Sequence, residues 1–592
     1  MIVKFPDKNN TWRQQNSGDL SGNIWASWNL DLQSNPGRVR VSPHTVLLLD
    51  ETDGTWVVYP CSVSVGDFDG TSRYWVVGDD VMMKSTQSFP NNGTWVQDTL
   101  TGTPTDLNHL YSDSVEWDGS LFVSTGAGNI AKLSTTWDND WWTATVGGAQ
   151  INPVPATGIH LGKAFNNLLL IGNGNKIASA KLVGGVPTLD SNERLLFPDE
   201  FQTVWIRSAG SMVYFGCRNK NGGQASVFAW DGYSENFNFQ YKINGSECFA
   251  GVIKDEICYT MNERGELLAF NGGGFSQIAR LPVFNSDYNL DDSFTIPINV
   301  GRNSMAVQNN EIYILVAGSV SFITTPSNYA YLENQLSGVW GYNPETGLTH
   351  RYSINNNTGY GSPVITRSGF LFPTDKNSGN FLIGASMPID AENYVDNQLR
   401  HGILDIDNYE TDEDDKIGYF ITPKIQAEGI EDMWQKTYLV IKKFLSSSSK
   451  VHVKYRTDYE DFGTMGVGIS LTKGTWVTTS SFTVADASEV EAGDEIEIMS
   501  GYGSGLSANI SSVNGTLIAI DESYTGATGT MLLRASNWKK VGTDIDTQGL
   551  SSFELPVGIP SSNIQFKVVM FFHGKEEIEN FTVVSSPQIK PI

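Results

Sequence analysis

Seven apolar strand centres recur along the first two thirds of this sequence. Tyr74, Phe122, Leu169, Val213, Ile257, Tyr313 and Leu371 are separated by steps of 48, 47, 44, 44, 56 and 58 residues. The stretches around them, such as "RYWVVGD", "NLLLIGNG" and "EIYILVAG", are short, β-branched or aromatic, and bounded by Gly or polar residues. A period of about 40–50 residues with roughly four short strands per unit belongs to β-propeller blades. One four-stranded sheet cannot bury both of its faces; sheets stacked radially bury each other and leave short edges. The spacing therefore predicts an all-β chain whose residues 46–402 form a propeller of about seven blades. The rival reading is a set of separate sandwiches with accidental spacing.

A second recurrence lies between the anchors. "VFAWDGYSENFNF" at 227, "LLAFNGGGFSQI" at 267 and "GVWGYNPETGLTHRY" at 338 each pair a strand-like run with a turn and a second run. "IAKLSTTWDNDWWTATV" at 130 and "IASAKLVGGVPTL" at 177 follow the same plan. Asp-Gly, Asn-Gly, Gly-Gly and Asn-Pro accept the backbone angles of a hairpin turn. The phrase is expected to join the third and fourth strands of each blade. The two longest units carry "NSDYNLDDSFTIP" (285–297) and "TTPSNYAYLENQLS" (324–337), expected to project from one rim.

Beyond the repeats the texture changes. Residues 403–417 pack acids densely and read as a solvated linker. "KTYLVIKKFL", "KVHVKYRTD", "SFELPVG" and "NIQFKVVMFFHG" then predict one discontinuous antiparallel β-sandwich over 418–473 and 535–592. Between its halves, 474–534 has its own strands and turns ("AGDEIEIMSG", "VNGTLIAIDE") and reads as a small inserted β domain. Residues 1–45 hold two alternating runs around an Asn-Pro-Gly turn, an arm that closes the ring or reaches a neighbour. The one helix-like stretch is "GIEDMWQKTYLVIKKFL" at 429–445, and its second half, Thr437 to Phe444, suits a strand equally well.

Charge and composition exclude more than they assign. With 65 acids against 39 bases the net charge is −26, which opposes a surface that grips DNA. A channel that DNA slides through tolerates the same sign. Cys61, Cys217, Cys248 and Cys258 show no CxxC spacing and read as buried thiols. No signal-peptide core and no apolar run of membrane-spanning length occurs, so a chain made in a cytosol without a membrane span is expected.

Catalytic and metal patterns are sparse. The histidines (His44, His109, His160, His350, His401, His452, His573) show no HxH or HExxH spacing, and there is no nucleophile elbow or P-loop. "ETDGTW" at 51 and "NNGTW" at 91 echo sialidase aspartate boxes without their leading Ser. "DIDNYETDEDD" at 405 alternates acids as an EF-hand loop does, but Glu410 stands where Gly is required. "GDFDG" at 66 and "TDIDTQG" at 543 are acidic turns in which a structural calcium competes with plain solvation. Trp141, Trp142, Tyr233, Tyr329 and Tyr331 are loop aromatics for which packing is the simpler role. No enzyme activity, catalytic residue, metal ligand or cofactor is assigned.

Together, "GNIWASWNLDLQSNPGRVRVSP", the weak "WDG" hairpins, the inserted "FTVADASEVEAGDEIEIMSGYGSG" and the closing "NIQFKVVMFFHG…FTVVSSPQIKPI" resemble structural proteins of bacteriophage tails. The likeness is to the propeller-bearing nozzle and tail-tip type. It covers most of the chain by architecture and carries no residue-level site. It implies a non-enzymatic virion tail component, made in the host cytoplasm and assembling as a homo-oligomeric ring with other tail proteins. Viral assembly and DNA ejection would be its setting, with DNA passing through without specific binding. The alternative is a receptor- or glycan-binding tail appendage with a host-surface glycan as partner; a propeller glycosidase is a third reading.

Overall fold

The computed structural model describes residues 1–6, 12–13, 24, 26–32, 37–42, 45–50, 58–88, 94–108, 111–154, 158–164, 167–281, 298–318, 338–352, 369–374, 381–388, 399–406, 416–428, 431–442, 449–457, 472–488, 490–500, 507–524, 529–535, 538–546, 552–572 and 576–587. Nearly all of these are strand or turn, arranged as a propeller-like succession of antiparallel sheets.

Seven sheets of one plan follow each other. The first holds Val58–Asp67, Ser72–Asp79, Met82–Ser85 and Trp95–Gln97, each strand beside the next. Residues 114–138, 159–196, 201–242 and 248–280 repeat it, and 298–352 repeat it with an interrupted first strand. The seventh sheet has Phe370–Pro373, Phe381–Pro388 and Leu399–Ile406, and its fourth strand is Thr45–Asp50 from near the N-terminus. First strands touch in order from sheet to sheet, and Phe370–Pro373 returns to Val58–Asp67, so the succession closes. Buried on both faces, the inner strands are continuously apolar or small, as in Ser120–Ser124; the outermost strand Val186–Leu196 is mostly accessible.

All five copies of the aromatic-turn phrase join third and fourth strands. In "WDGYS" the cause is local. Asp231 accepts from the backbone N–H of Tyr233 (2.9 Å) and Ser234 (2.8 Å), and Gly232 takes φ +83°. Large side chains then wedge neighbouring sheets together. Trp205, on the fourth sheet's first strand, lies over Gly216 beside it and Gly251 of the fifth sheet. A methyl group at those glycines would approach its ring to 2.0 and 2.6 Å.

The remainder forms two packed sheets and a barrel. One sheet has the order Ile2–Phe5, Glu577–Pro587, Asp432–Lys442, Ser552–Ser561; the other runs Ala26–Trp28, Lys416–Ile421, Asn563–Phe572, Lys450–Thr457, Lys539–Lys540. Between them lies a core that includes Leu30, Phe420, Trp434, Phe566 and Phe581. The helix-like stretch is therefore strand from Asp432 to Lys442. Strands between Thr472 and Ala535 close into a six-stranded barrel, and its Ile496, Ile518 and Leu533 share a core with Trp28, Tyr419 and Phe571.

Two expected boundaries move. Residues 403–406 finish the seventh sheet and 416–417 begin the strand Lys416–Ile421, so the acidic stretch is strand at both ends. Ile403 and Leu404 pair with both Phe381–Pro388 and Thr45–Asp50, and that pairing outweighs local charge. The N-terminal arm serves the outer sheets through Ile2–Phe5 and Ala26–Trp28, and among its described strands only Thr45–Asp50 pairs into the closed succession. The loops 285–297 and 324–337 lie outside the described residues, as does 407–415.

Candidate functional site

Where the seven first strands converge, one polar cluster ties them together. In the sixth sheet, Ile298–Asn299 and Met305–Gln308 both pair with Glu311–Gly318, and the extra residues between them carry Arg302 and Asn303 inward. Asn303 Nδ2 donates to Cys61 O of the first sheet and to Asp113 Oδ1 beside the second, both at 3.1 Å. Arg302 donates from Nη2 to Ser112 O. Asp113 also accepts from Ser62 Oγ (3.2 Å) and, through Oδ2, from the Leu161 N–H of the third sheet (3.2 Å). From the fourth sheet, Arg207 donates Nε to Gly251 O of the fifth at 2.9 Å, and its Nη2 reaches Asn303 Oδ1 at 3.5 Å. A parallel bridge from Asn303 to Phe370 adds the seventh. Burial pulls the Arg207 guanidinium below its ordinary value against the charge of Asp113. The groups hold each other and backbone carbonyls, which makes this a structural hub.

A second constellation seats the outer sheets on the sixth sheet. The Asn29 N–H donates to His350 Nδ1 (3.0 Å), and the His350 N–H donates to Ser27 Oγ (3.2 Å). Buried Arg351 reaches Asp31 Oδ1 at 2.6 Å and lies 3.6 Å from Glu311 Oε1, while Tyr313 donates to Glu311 Oε2 at 2.6 Å. Burial disfavours the Arg351 charge, but Asp31 and Glu311 outweigh it and hold the guanidinium well above its ordinary value. On its other side the same segment bonds the second body. Asn29 Nδ2 donates to Ile417 O (2.9 Å), and Trp28 stacks on Tyr419 with centroids 5.8 Å apart. Asn29 adopts φ +55°, a left-handed backbone that Asn tolerates better than most residues.

The third constellation has the donor set of a metal site. His452, Glu522 and Asp544 bring ligand atoms within 4.8 Å of one another. His452 Nδ1 lies 3.2 Å from Glu522 and Nε2 lies 3.4 Å from Asp544. Two lysines already occupy the cationic role: Lys450 is 2.9 Å from Glu522, and Lys540 is 2.5 Å from Asp544 and 3.4 Å from Glu522. Burial keeps His452 below its ordinary value despite both carboxylates. Burial raises Asp544, but the bonds from His452 and Lys540 outweigh it and leave the carboxyl low. Lys450 and Lys540 pair with the two carboxylates around a neutral imidazole and Lys454 also faces it, so a divalent ion would meet like charges. The arrangement fits an ion-pair network better than a metal centre.

The residues singled out in the sequence scatter accordingly. Asp544 comes from the acidic turn at 543 and is held by Lys540; Asp69 of the turn at 66 is held by Arg73 (3.2 Å) and Lys84 (3.1 Å). Trp141 and Trp142 are buried in a π-helical turn over Phe122, whereas Tyr233 is exposed. All four cysteines are free and buried. Of the histidines, His350 and His452 join the constellations above, His160 is buried, and His401 lies in Leu399–Ile406. His44, His109, His573, Tyr329, Tyr331, the turn at 51 and most of the turn at 91 and of the acidic run at 405 lie outside the described residues. No pattern announces the hub or the His452 network, because their members come together only by tertiary pairing. Among the described residues, no helix is long and apolar enough to cross a membrane.

No protein-family model and no curated protein matches the chain. Among solved structures, the computationally designed Ika8 protein is similar over 61% of this chain and 99% of its own, at 11% identity and a TM-score of 0.33. BBS1N in complex with ARL6DN is similar over 62% and 98%, at 12% identity and a TM-score of 0.36. YCF48 bound to D1 peptide is similar over 55% and 96%, at 14% identity and a TM-score of 0.31. Likeness at this level says nothing of what the chain does.

Proposed function

We propose that this chain is a non-enzymatic structural component of a bacteriophage tail, of the nozzle or tail-tip type, that assembles as a homo-oligomeric ring. In this reading the seven sheets are the blades of a seven-bladed propeller, and the two outer sheets are a β-sandwich carrying the barrel as an inserted domain. The observation that carries it is the fastening at Ser27–Asp31. One segment is bonded to the ring through His350 and Arg351 and to the outer body through Ile417 and Tyr419. Joints of that kind suit a rigid building piece. The hub supports the same view, since its charged groups are spent on each other and on backbone carbonyls. With the middle of the propeller crossed by Arg302 and Asn303, DNA would pass through the lumen of the assembled ring of copies. The net charge of −26 keeps that passage non-adhesive.

Electron cryo-microscopy of the parent particle and of the purified chain tests this. A closed ring of copies coaxial with a tail tube is the expected image. A monomer that binds or cleaves oligosaccharide would overturn the reading in favour of the appendage or the glycosidase.

A further inference from the structure

Five of the nine most exposed large apolar side chains among the described residues fall on the third and fourth sheets: Val183, Val186, Leu196, Tyr233 and Phe239. Val186, 62% exposed, begins the outermost strand of the third sheet, and Leu196 ends it. Two residues before Leu196, Arg194 donates from Nη2 to the Tyr233 carbonyl of the fourth sheet at 3.1 Å and covers Trp230 at 5.2 Å. Tyr233 is 70% exposed. Phe239, on the fourth sheet's outermost strand, stacks on Tyr241 at 5.9 Å, and Tyr241 meets Phe270 of the fifth sheet at 5.0 Å. Val186, Leu196 and Phe239 belong to strands that pair on one side only, at the perimeter of the closed succession, and Tyr233 lies in the turn that leads to the second of them.

Charge singles out the same region. Residues 176–281 carry 10 Lys and Arg against 11 Asp and Glu, a net of −1, so the other 486 residues carry −25 of the total of −26. Two copies of so acidic a chain repel wherever their acidic surfaces meet. Contact through this nearly neutral region avoids most of that repulsion. A nucleic acid finds no excess of positive charge there, whereas a second copy meets less of its own acidic charge there than elsewhere on the chain.

We propose that the outer perimeter of the third and fourth sheets, at Val186, Leu196, Tyr233 and Phe239, is the surface by which one copy of this chain packs against the next. The inference rests on the reading of the chain as a ring-forming component and names its contact face.

The test is sedimentation equilibrium of the full chain from low to high micromolar concentration, at low and high sodium chloride. Concentration-dependent association that tightens with salt is expected, because screening relieves like-charge repulsion and leaves apolar contact intact. The double variant Val186→Asp/Tyr233→Asp should weaken self-association by at least about tenfold, with circular dichroism unchanged. Phe239→Ser provides a second, milder probe. Val477→Asp, on an equally exposed side chain of the barrel, should leave association as it was. A chain monomeric at every concentration overturns the proposal. So does association loosened by salt, untouched by the perimeter variants, or equally weakened by Val477→Asp. If the particle shows a coaxial ring while the perimeter variants assemble normally, this face is wrong and the tail reading stands.

Discussion

Asn303 Nδ2 and Asp113 Oδ1 lie 3.1 Å apart and join the sixth sheet to the second across the middle of the closed succession. Neither residue belongs to a strand; both sit where a first strand is interrupted or about to begin. Seven sheets meeting at one point leave backbone groups that no ladder satisfies, and these two side chains satisfy several of them.

Removing either partner leaves the other buried without its bond. Asn303→Ala and Asp113→Ala should each lower unfolding free energy by roughly 2–4 kcal/mol, the range for losing more than one charge-assisted bond. In the double variant the losses should be clearly less than additive. Urea denaturation followed by tryptophan fluorescence measures all three; strict additivity would show that the two side chains act independently.

Arg351→Met strands Asp31 and Glu311 in the joint. Breaking one side of a buried pair costs about 3–5 kcal/mol, whereas replacing the partners together costs far less. Arg351→Met should therefore destabilise strongly and split the calorimetric transition, as ring and outer body lose their common fastening. Arg351→Met with Asp31→Leu and Glu311→Leu should recover part of the loss. A single unshifted transition in Arg351→Met would refute this.

Trp205 offers a packing test with a built-in control. Gly251→Ala places a methyl group against its ring and should cost about 1–3 kcal/mol, while Trp205→Ala empties the wedge and should cost about 3–5 kcal/mol. Gly274→Ala, with nothing within 4 Å of the new methyl group, should change stability by less than about 0.5 kcal/mol. Thermal melts of the three variants rank them directly.

The His452 network predicts a pH dependence. The groups facing the imidazole are Glu522, Asp544, Lys450, Lys454 and Lys540. Burial holds His452 below its ordinary value of 6.5 in the folded chain, so the unfolded chain takes up the proton first. The neutral imidazole's contribution is complete above 6.5 and is lost as pH falls below it. Glu522 and Asp544 are both held low, so their stabilisation is lost only at more acidic pH, beneath their ordinary values of 4.5 and 3.8. Between pH 7.5 and 5.5 the native chain should lose stability, and His452→Gln should lose less. Equal losses would remove His452 from the account.

Thiol chemistry checks the core. Burial pushes Cys61 and Cys248 to about 12 and raises Cys217 and Cys258 well above their ordinary range. At pH 8 a disulfide reagent should find no reactive thiol in the native chain and four in denaturant. Prompt reaction of even one would place it at the surface.

The repeat was legible because inner strands face packed neighbours on both sides. Tyr74, Phe122, Leu169, Val213, Ile257 and Tyr313 all sit on second strands of successive sheets. The seventh anchor, Leu371, falls one strand early, on the first. First and second strands are equally apolar, so composition cannot tell them apart. The last sheet also takes its fourth strand from Thr45–Asp50, and nothing local to residues 370–406 announces a partner that far away. Strands and turns of their own at 474–534 were readable from the alternation of "DEIEIMS" and the turn at Asn514–Gly515; closure of those strands into a barrel was not. His452, Glu522 and Asp544 were not, because the barrel's own strands separate His452 from the other two.

Ile2–Phe5 pairs with Phe581–Val584 in one sheet. During synthesis Ile2–Phe5 cannot gain this partner until residues 581–584 have been made, and by then the intervening sheets have had time to stack. The outer body is consequently the last part to be completed. A nascent chain stalled before residue 581 would hold a finished ring beside an open seam.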